Sequence, residues 1–245
     1  MRAALFTPEG RTSCLLRLLL IWGCGFYALL AAVIMLSDDT SPDDRAIILM
    51  AGGLLVFWVI LGGLIQRRGR DRFVRWANRL PFGWRVRFVL LCILMALIEE
   101  AITTGMTNLG PWLGAESDKA AITASKNYLE VVLLNSVIVF VPMYIAWAWM
   151  LARWAFRPVE VLLLYGITGC VAESISFGPQ NLIMLGMWVY VYGLMVWLPA
   201  HTVPPDRSAH PPRWWHWPLA VILPIVATIP FVPVVLLVRA IIGID

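Results

Sequence analysis

Seven apolar segments, each close to twenty residues long, decide what this chain can fold into. A helix of about 20 residues crosses the hydrocarbon core of a bilayer, which is about 30 Å thick. The predicted spans are 15–36, 46–65, 88–107, 128–151, 159–177, 182–198 and 218–238. With 60% hydrophobic and 14% charged residues, the 245-residue chain lacks the polar surface of a soluble domain. The sequence therefore predicts an all-α, polytopic transmembrane bundle, a single membrane domain over 1–245.

The distribution of basic residues predicts the orientation of this bundle. If the N-terminus is cytoplasmic, fourteen of the nineteen Lys and Arg residues fall in inside segments and four in outside segments. Eight of the fourteen are arginines in the single loop 67–87. This asymmetry is typical of cytoplasmic loops. We expect a cytoplasmic N-terminus and, as the default location, the plasma (inner) membrane.

The segment 71–80 has the pattern of a short amphipathic helix. Its apolar residues recur at helical spacing, while Arg72, Arg75 and Arg79 face elsewhere. Such a segment is expected to lie on the inner leaflet, with the three arginines close to anionic lipid. Membrane lipids are therefore the first predicted partners. A nucleic acid partner is not expected, because the basic residues lie in loops rather than across a soluble face.

Metal and redox motifs are not indicated. The four cysteines form no CxxC pair, and His201, His210 and His216 are spaced by nine and six residues in a proline-rich loop. No metal site is predicted, and any cofactor is left open.

Acidic residues inside the predicted spans are the candidate functional groups. Ionisable side chains at bilayer depth are costly and usually face the bundle interior. Glu99 and Glu100 lie 12 and 13 residues after Arg87, roughly 18–20 Å from the inner edge and past the middle of the membrane. Thr103 and Thr104 extend a polar stripe from Glu100 toward the outer surface.

Two further spans place polar groups in the same outer half. Glu173 lies 14 residues after Val159, again about 20 Å from the inner edge. Glu130 and Asn135 lie near the outer start of the fourth span. The inner half of these spans is almost purely apolar, so we expect an outward-facing pocket. Its predicted substrate-binding residues are Glu99, Glu100, Thr103, Thr104, Glu130, Asn135 and Glu173, of which Glu99, Glu100 and Glu173 are the catalytic candidates.

Three functions are compatible with such a pocket. The first is binding or transport of a small molecule or cation, because carboxylates and neutral oxygen donors suit protons and hard cations. The second is an intramembrane acid–base enzyme acting on a lipid or isoprenoid-like substrate. The third is an accessory or structural membrane subunit.

The adjacent glutamates carry the enzyme hypothesis. They resemble the Glu pair of CAAX-type membrane proteases, whose pattern is EExxxR with intramembrane histidines. A Glu pair in an apolar helix also resembles membrane carotenoid-modifying enzymes, in which a carboxylic acid protonates a polyene. Thr104 stands where the protease pattern has arginine, and all three histidines fall in a predicted cytoplasmic loop. The resemblance therefore implies acid–base chemistry without the arginine or the histidines.

The predicted orientation can be tested by labelling single cysteines. In a variant without the four native cysteines, we expect Thr40→Cys to react with a membrane-impermeant thiol reagent in intact cells. Ser208→Cys should react only after permeabilisation, because loop 199–217 is predicted to be cytoplasmic. The reverse labelling pattern would invert the topology.

Overall fold

The chain is all-helical in the computed structural model, which describes residues 8–233 and 237. Those residues contain no β-strand, only an isolated bridge between Trp154 and His210. The helices are α1 (Pro8–Leu36), α2 (Pro42–Ala77), α3 (Trp84–Asn108), α4 (Tyr128–Asn135 and Val137–Leu151), α5 (Pro158–Phe177), α6 (Pro179–Ala200) and α7 (His216–Phe231). Six of the predicted spans lie on α1 to α6, and span 218–238 lies only partly within the described residues.

Helix length and apolarity confirm a membrane-embedded helical protein. Four of the described helices, α1, α2, α5 and α6, are long and apolar enough to cross a bilayer. The two segments of α4 make a fifth span if they are counted together. Helix α3 is 25 residues long but is not among these five, and α7 is a shorter apolar helix. The count of seven spans and the cytoplasmic N-terminus stay predictions.

Helix α2 is longer than its predicted span. It runs without a break over 36 residues, through a π-helical segment at Leu55–Gly62. At 1.5 Å per residue it is about 54 Å long, so it extends beyond a hydrocarbon core of about 30 Å. The segment 71–77 is therefore the end of α2 rather than a separate helix. No proline interrupts the chain between Pro42 and Pro81, and the helix ends shortly before Pro81.

Helix α4 is bent by 47° between its two segments. The bend is centred on Ser136 (φ −121°, ψ −71°), directly after a π-helical segment at Val131–Asn135. The sequence predicts one straight span here. A π-helical insertion breaks the regular hydrogen-bond ladder, which explains the change of direction.

Helix α6 lies at the centre of the bundle, and glycines allow its neighbours to approach closely. Gly166 of α5 lies against the backbone of Val189, and Gly23 of α1 lies against Gly186. A Cβ atom on Gly166 would overlap the Val189 backbone. Small residues permit this packing of helices in membranes, where van der Waals contact replaces the hydrophobic driving force.

A larger side chain at Gly166 should separate α5 from α6. We expect Gly166→Leu to destabilise the protein by about 1–3 kcal/mol, because the packed contact cannot absorb the added atoms. The measurement is the thermal unfolding midpoint (Tm) of the purified protein in detergent. Gly25→Leu is the matched control, since a Cβ on Gly25 meets nothing within 4 Å. Equal Tm values for the two variants would contradict the close α5–α6 contact.

Candidate functional site

Glu99 and Glu100 are buried inside the bundle. These residues are 4% and 7% exposed, and they lie in the C-terminal half of α3. Thr103 stands one turn after Glu99 and donates a hydrogen bond to its Oε1 at 2.8 Å. The same hydroxyl lies 3.0 Å from the backbone carbonyl oxygen of Glu99. One turn of α3 thus supplies both the carboxyl group of Glu99 and the hydroxyl group of Thr103 that donates a hydrogen bond to it.

Helix α5 brings Glu173 to the same place. Gly169, one turn earlier, lies against the ring of Tyr192 from α6. The Tyr192 hydroxyl donates a hydrogen bond to Oε1 of Glu173. Glu173 is half-buried there, and its charge acts on both Glu99 and Glu100. The Glu173 carboxyl group is therefore within electrostatic range of the two carboxyl groups of α3.

The bend in α4 places further hydroxyl groups beside these acids. The Ser136 hydroxyl, 3.1 Å from the carbonyl oxygen of Val131, also interacts with the Glu100 carboxyl group. Tyr128, at the outer start of α4, donates to the carbonyl oxygen of Leu97 at 2.9 Å. A straight α4 would leave Ser136 in a regular helical turn. The bend thus gives Glu100 a polar neighbour from another helix.

Phenol groups continue the polar network toward the arginine-rich end of the bundle. The charge of Glu99 acts on Tyr144 of α4, which is fully buried. The Tyr144 and Tyr165 rings lie 5.5 Å apart, and their hydroxyl groups donate to the sulfur atoms of Met195 and Met143. Tyr165 precedes Glu173 by eight residues on α5, so the network extends over about 12 Å of membrane depth. The predicted apolar inner half therefore contains buried hydroxyl groups.

We call the acids Glu99, Glu100 and Glu173, together with Tyr192, Tyr144 and Tyr165, the acid–phenol cluster. None of its three carboxyl groups forms a salt bridge within the described part of the chain. In that part of the chain, hydroxyl groups of Thr103, Ser136 and Tyr192 are partners of these carboxyl groups. Acids in such surroundings cannot all keep their charge without a counter-charge. Bound protons or a bound cation can supply it.

Two other predicted site residues form hydrogen bonds at the start of α4. Glu130 accepts a hydrogen bond from Ser125 at 2.8 Å, and Asn135 donates to the backbone carbonyl oxygen of Glu130 at 3.2 Å. Both contacts are local to the outer end of α4. Thr104 is 3% exposed, and its hydroxyl has no hydrogen-bond partner in the described ranges.

Two cavities of about 320 Å³ open on the sides of the bundle. One is lined by α4 and α7, including Pro142, Trp149 and Leu223. The other runs between α2, α3 and α6 and includes Ile98 and Ile102. No predicted site residue lines either of them. The predicted outward-facing pocket is therefore not one of these two cavities, and the acid–phenol cluster is packed within the bundle.

Sequence reasoning missed the three tyrosines of the cluster. A phenol at mid-membrane depth carries no charge, so a search for ionisable residues passes over it. Counting along α6 places Tyr192 about 18 Å from Gln180 at the predicted outer end, which is deeper than the predicted acids, so counting alone does not pair it with them. Buried tyrosine hydroxyl groups usually have a partner, which is the signal that could have identified it.

Comparison with known protein families, curated proteins and solved structures finds no match to this chain. In residues 8–233 and 237, no group of three or more His, Cys, Asp or Glu side chains has a geometry that could hold a metal ion. The function has to be inferred from the acid–phenol cluster itself.

Thr103 and Thr104 offer a matched test of the hydrogen bond to Glu99. We expect Thr103→Val to lower the stability by about 1–3 kcal/mol, because a buried carboxyl group loses its donor. Thr104→Val should be neutral or stabilising, because that hydroxyl is buried without a described partner. Thermal unfolding in detergent measures both. A Tm unchanged by Thr103→Val would mean that Glu99 does not depend on this bond.

Proposed function

We propose that this membrane protein binds protons at the acid–phenol cluster and uses them in the transport of a small molecule or cation. The proposal rests on three acids of α3 and α5 that lie within electrostatic range of one another, have hydroxyl partners and form no ion pair in the described structure. Buried acids of this kind mark ion pathways and proton relays in membrane proteins.

The row of hydroxyl groups supports movement of protons rather than binding alone. Glu173 and Tyr192 are joined by a hydrogen bond, and Tyr144 and Tyr165 lie deeper along α4 and α5. Carboxyl and phenol groups both donate and accept hydrogen bonds, so each can pass a proton to a neighbour. The charge of Glu99 acts on both Tyr192 and Tyr144, so this acid is within electrostatic range of both pairs.

Glu173 is the best residue for the transport test. It is the least buried acid of the cluster, so it can exchange protons with the outside most readily. Purified protein is reconstituted in liposomes that contain a pH-sensitive dye, and a potassium diffusion potential drives proton entry. We expect proton flux with the unchanged chain. With Glu173→Gln the flux should fall to the rate of protein-free liposomes, because an amide cannot release a proton in the pH range of the assay.

Glu116→Gln is the matched control, since Glu116 is exposed in the α3–α4 loop, outside the acid–phenol cluster. It should keep the full proton flux. Equal flux in Glu173→Gln and the unchanged chain would rule out proton movement through Glu173. If Glu99→Gln, Glu100→Gln and Glu173→Gln all leave cellular function intact, the accessory or structural role is favoured instead.

A second candidate function is an intramembrane acid–base enzyme acting on a lipid or isoprenoid-like substrate. The observation that favours it is the lateral cavity lined by Ile98 and Ile102, which flank Glu99 on α3. A lipid chain entering there would pass at the depth of the acid. This role requires a product: lipids from membranes that contain the unchanged chain should differ in mass from those with Glu99→Gln. Identical lipid profiles would argue against the enzyme.

A further inference from the structure

The lateral cavity between α2, α3 and α6 contains a buried polar side chain at its arginine-rich end. Gln66 of α2 lines the cavity and is only 5% exposed. Neither Nε2 nor Oε1 of its amide group has a hydrogen-bond partner among the described residues. Leaving such groups unpaired costs about 1–3 kcal/mol each. A ligand that donates to and accepts from this amide would remove the cost.

The rest of the cavity is apolar and elongated. Its lining on α2 runs from Phe57 to Phe73, which is about 24 Å of helix. One bilayer leaflet with its headgroups is roughly 20–22 Å thick. Met95, Ile98 and Leu198 complete the apolar walls from α3 and α6. The dimensions and lining suit one lipid chain parallel to the helices.

Positive charge surrounds the polar end of this cavity. Arg70 stands one turn after Gln66 on α2, and its charge acts on His201, which follows Leu198 by three residues. Burial, together with the Arg70 charge, lowers the pKa of His201 to about 4, so its imidazole is neutral at pH 7. The Nε2 atom of His201 is also buried without a partner in the described residues. Asp71, the only acid between Gly63 and Arg87, forms an exposed ion pair with Arg70 at 2.9 Å. Arg67, Arg68 and Arg72 also flank this end, so its net charge stays positive.

We propose that this cavity, the Gln66 groove, binds an anionic phospholipid. The acyl chain lies along Phe57, Met95 and Ile98, and the ester and headgroup oxygens bond to Gln66 and His201. The phosphate lies beside Arg70. This site is separate from the acid–phenol cluster, so it stands whether or not the proposed transport function holds. The site also differs from the surface contact predicted at Arg72, Arg75 and Arg79. The groove encloses the acyl chain of the lipid, whereas the surface contact only attracts its headgroup.

Lipid selectivity of the full chain is the first test. Purified protein in mild detergent is mixed with dioleoylphosphatidylglycerol, with dioleoylphosphatidylcholine or with inorganic phosphate. Native mass spectrometry measures retained lipid, and thermal unfolding measures Tm. We expect retention and a raised Tm with phosphatidylglycerol, a retention about fivefold lower with phosphatidylcholine from the loss of one charge contact, and no Tm change with phosphate. Equal retention of both lipids, or a Tm rise with phosphate alone, would overturn the proposal.

Two variants test the position of the site. Gly69 lines the groove, and a Cβ there meets nothing within 4 Å, so Gly69→Leu should fill the groove without disturbing α2 and abolish retention of phosphatidylglycerol. Gln66→Leu removes both hydrogen bonds and should weaken retention about tenfold. It should also raise the Tm of the lipid-free protein, because an unpaired buried amide is replaced by an apolar group.

Gly25→Leu is the control, because it adds the same side chain to an open helical position outside the groove. It should retain phosphatidylglycerol as the unchanged chain does. Normal retention in both Gly69→Leu and Gln66→Leu would place the lipid elsewhere and overturn the site. The proton flux of Gly69→Leu and Gln66→Leu is measured in the dye-containing liposomes described above. Intact flux in both variants would show that the proposed transport function does not depend on lipid binding in the groove.

Discussion

The cost of keeping three acids away from water constrains the centre of this bundle. Glu99 and Glu100 are buried on α3, Glu173 is half-buried on α5, and no described basic side chain forms an ion pair with them. Hydroxyl donors relieve part of the cost through hydrogen bonds to Glu99 and Glu173. The remaining negative charge needs protons or a cation, because charged groups in apolar surroundings are costly without a counter-charge. The same requirement makes the cluster a candidate for proton exchange.

Helix packing places hydroxyl groups of neighbouring helices beside these acids. The glycine face of α5 brings α6 close enough for Tyr192 to reach Glu173, and the bend of α4 turns Ser136 toward Glu100. Both features lie at the level of the acids. Elsewhere the same packing leaves the Gln66 groove open on the side of the bundle, where an apolar chain can complete the surface. The fold thus separates a largely buried polar centre from an open apolar groove.

Much of the architecture follows from the sequence because two patterns are strong: apolar segments of span length, and acids at a depth that can be counted along a helix. Counting placed Glu99 and Glu173 at one level. Counting cannot reveal a bend such as that at Ser136, nor that α2 continues to Ala77. It also cannot distinguish Thr103, which bonds to Glu99, from Thr104, which does not, because neighbouring positions on a helix differ only in the partner they meet.

The interaction between the acids of α3 and α5 is best measured by a double-mutant cycle on Glu100→Gln and Glu173→Gln. Unfolding free energies of the two single variants and the double variant give the coupling between the two side chains. Because the two charges act on each other, we expect a coupling of about 1 kcal/mol, and additivity for the control pair Glu116→Gln and Glu173→Gln. Additive effects of Glu100→Gln and Glu173→Gln would mean that the two acids do not share one site.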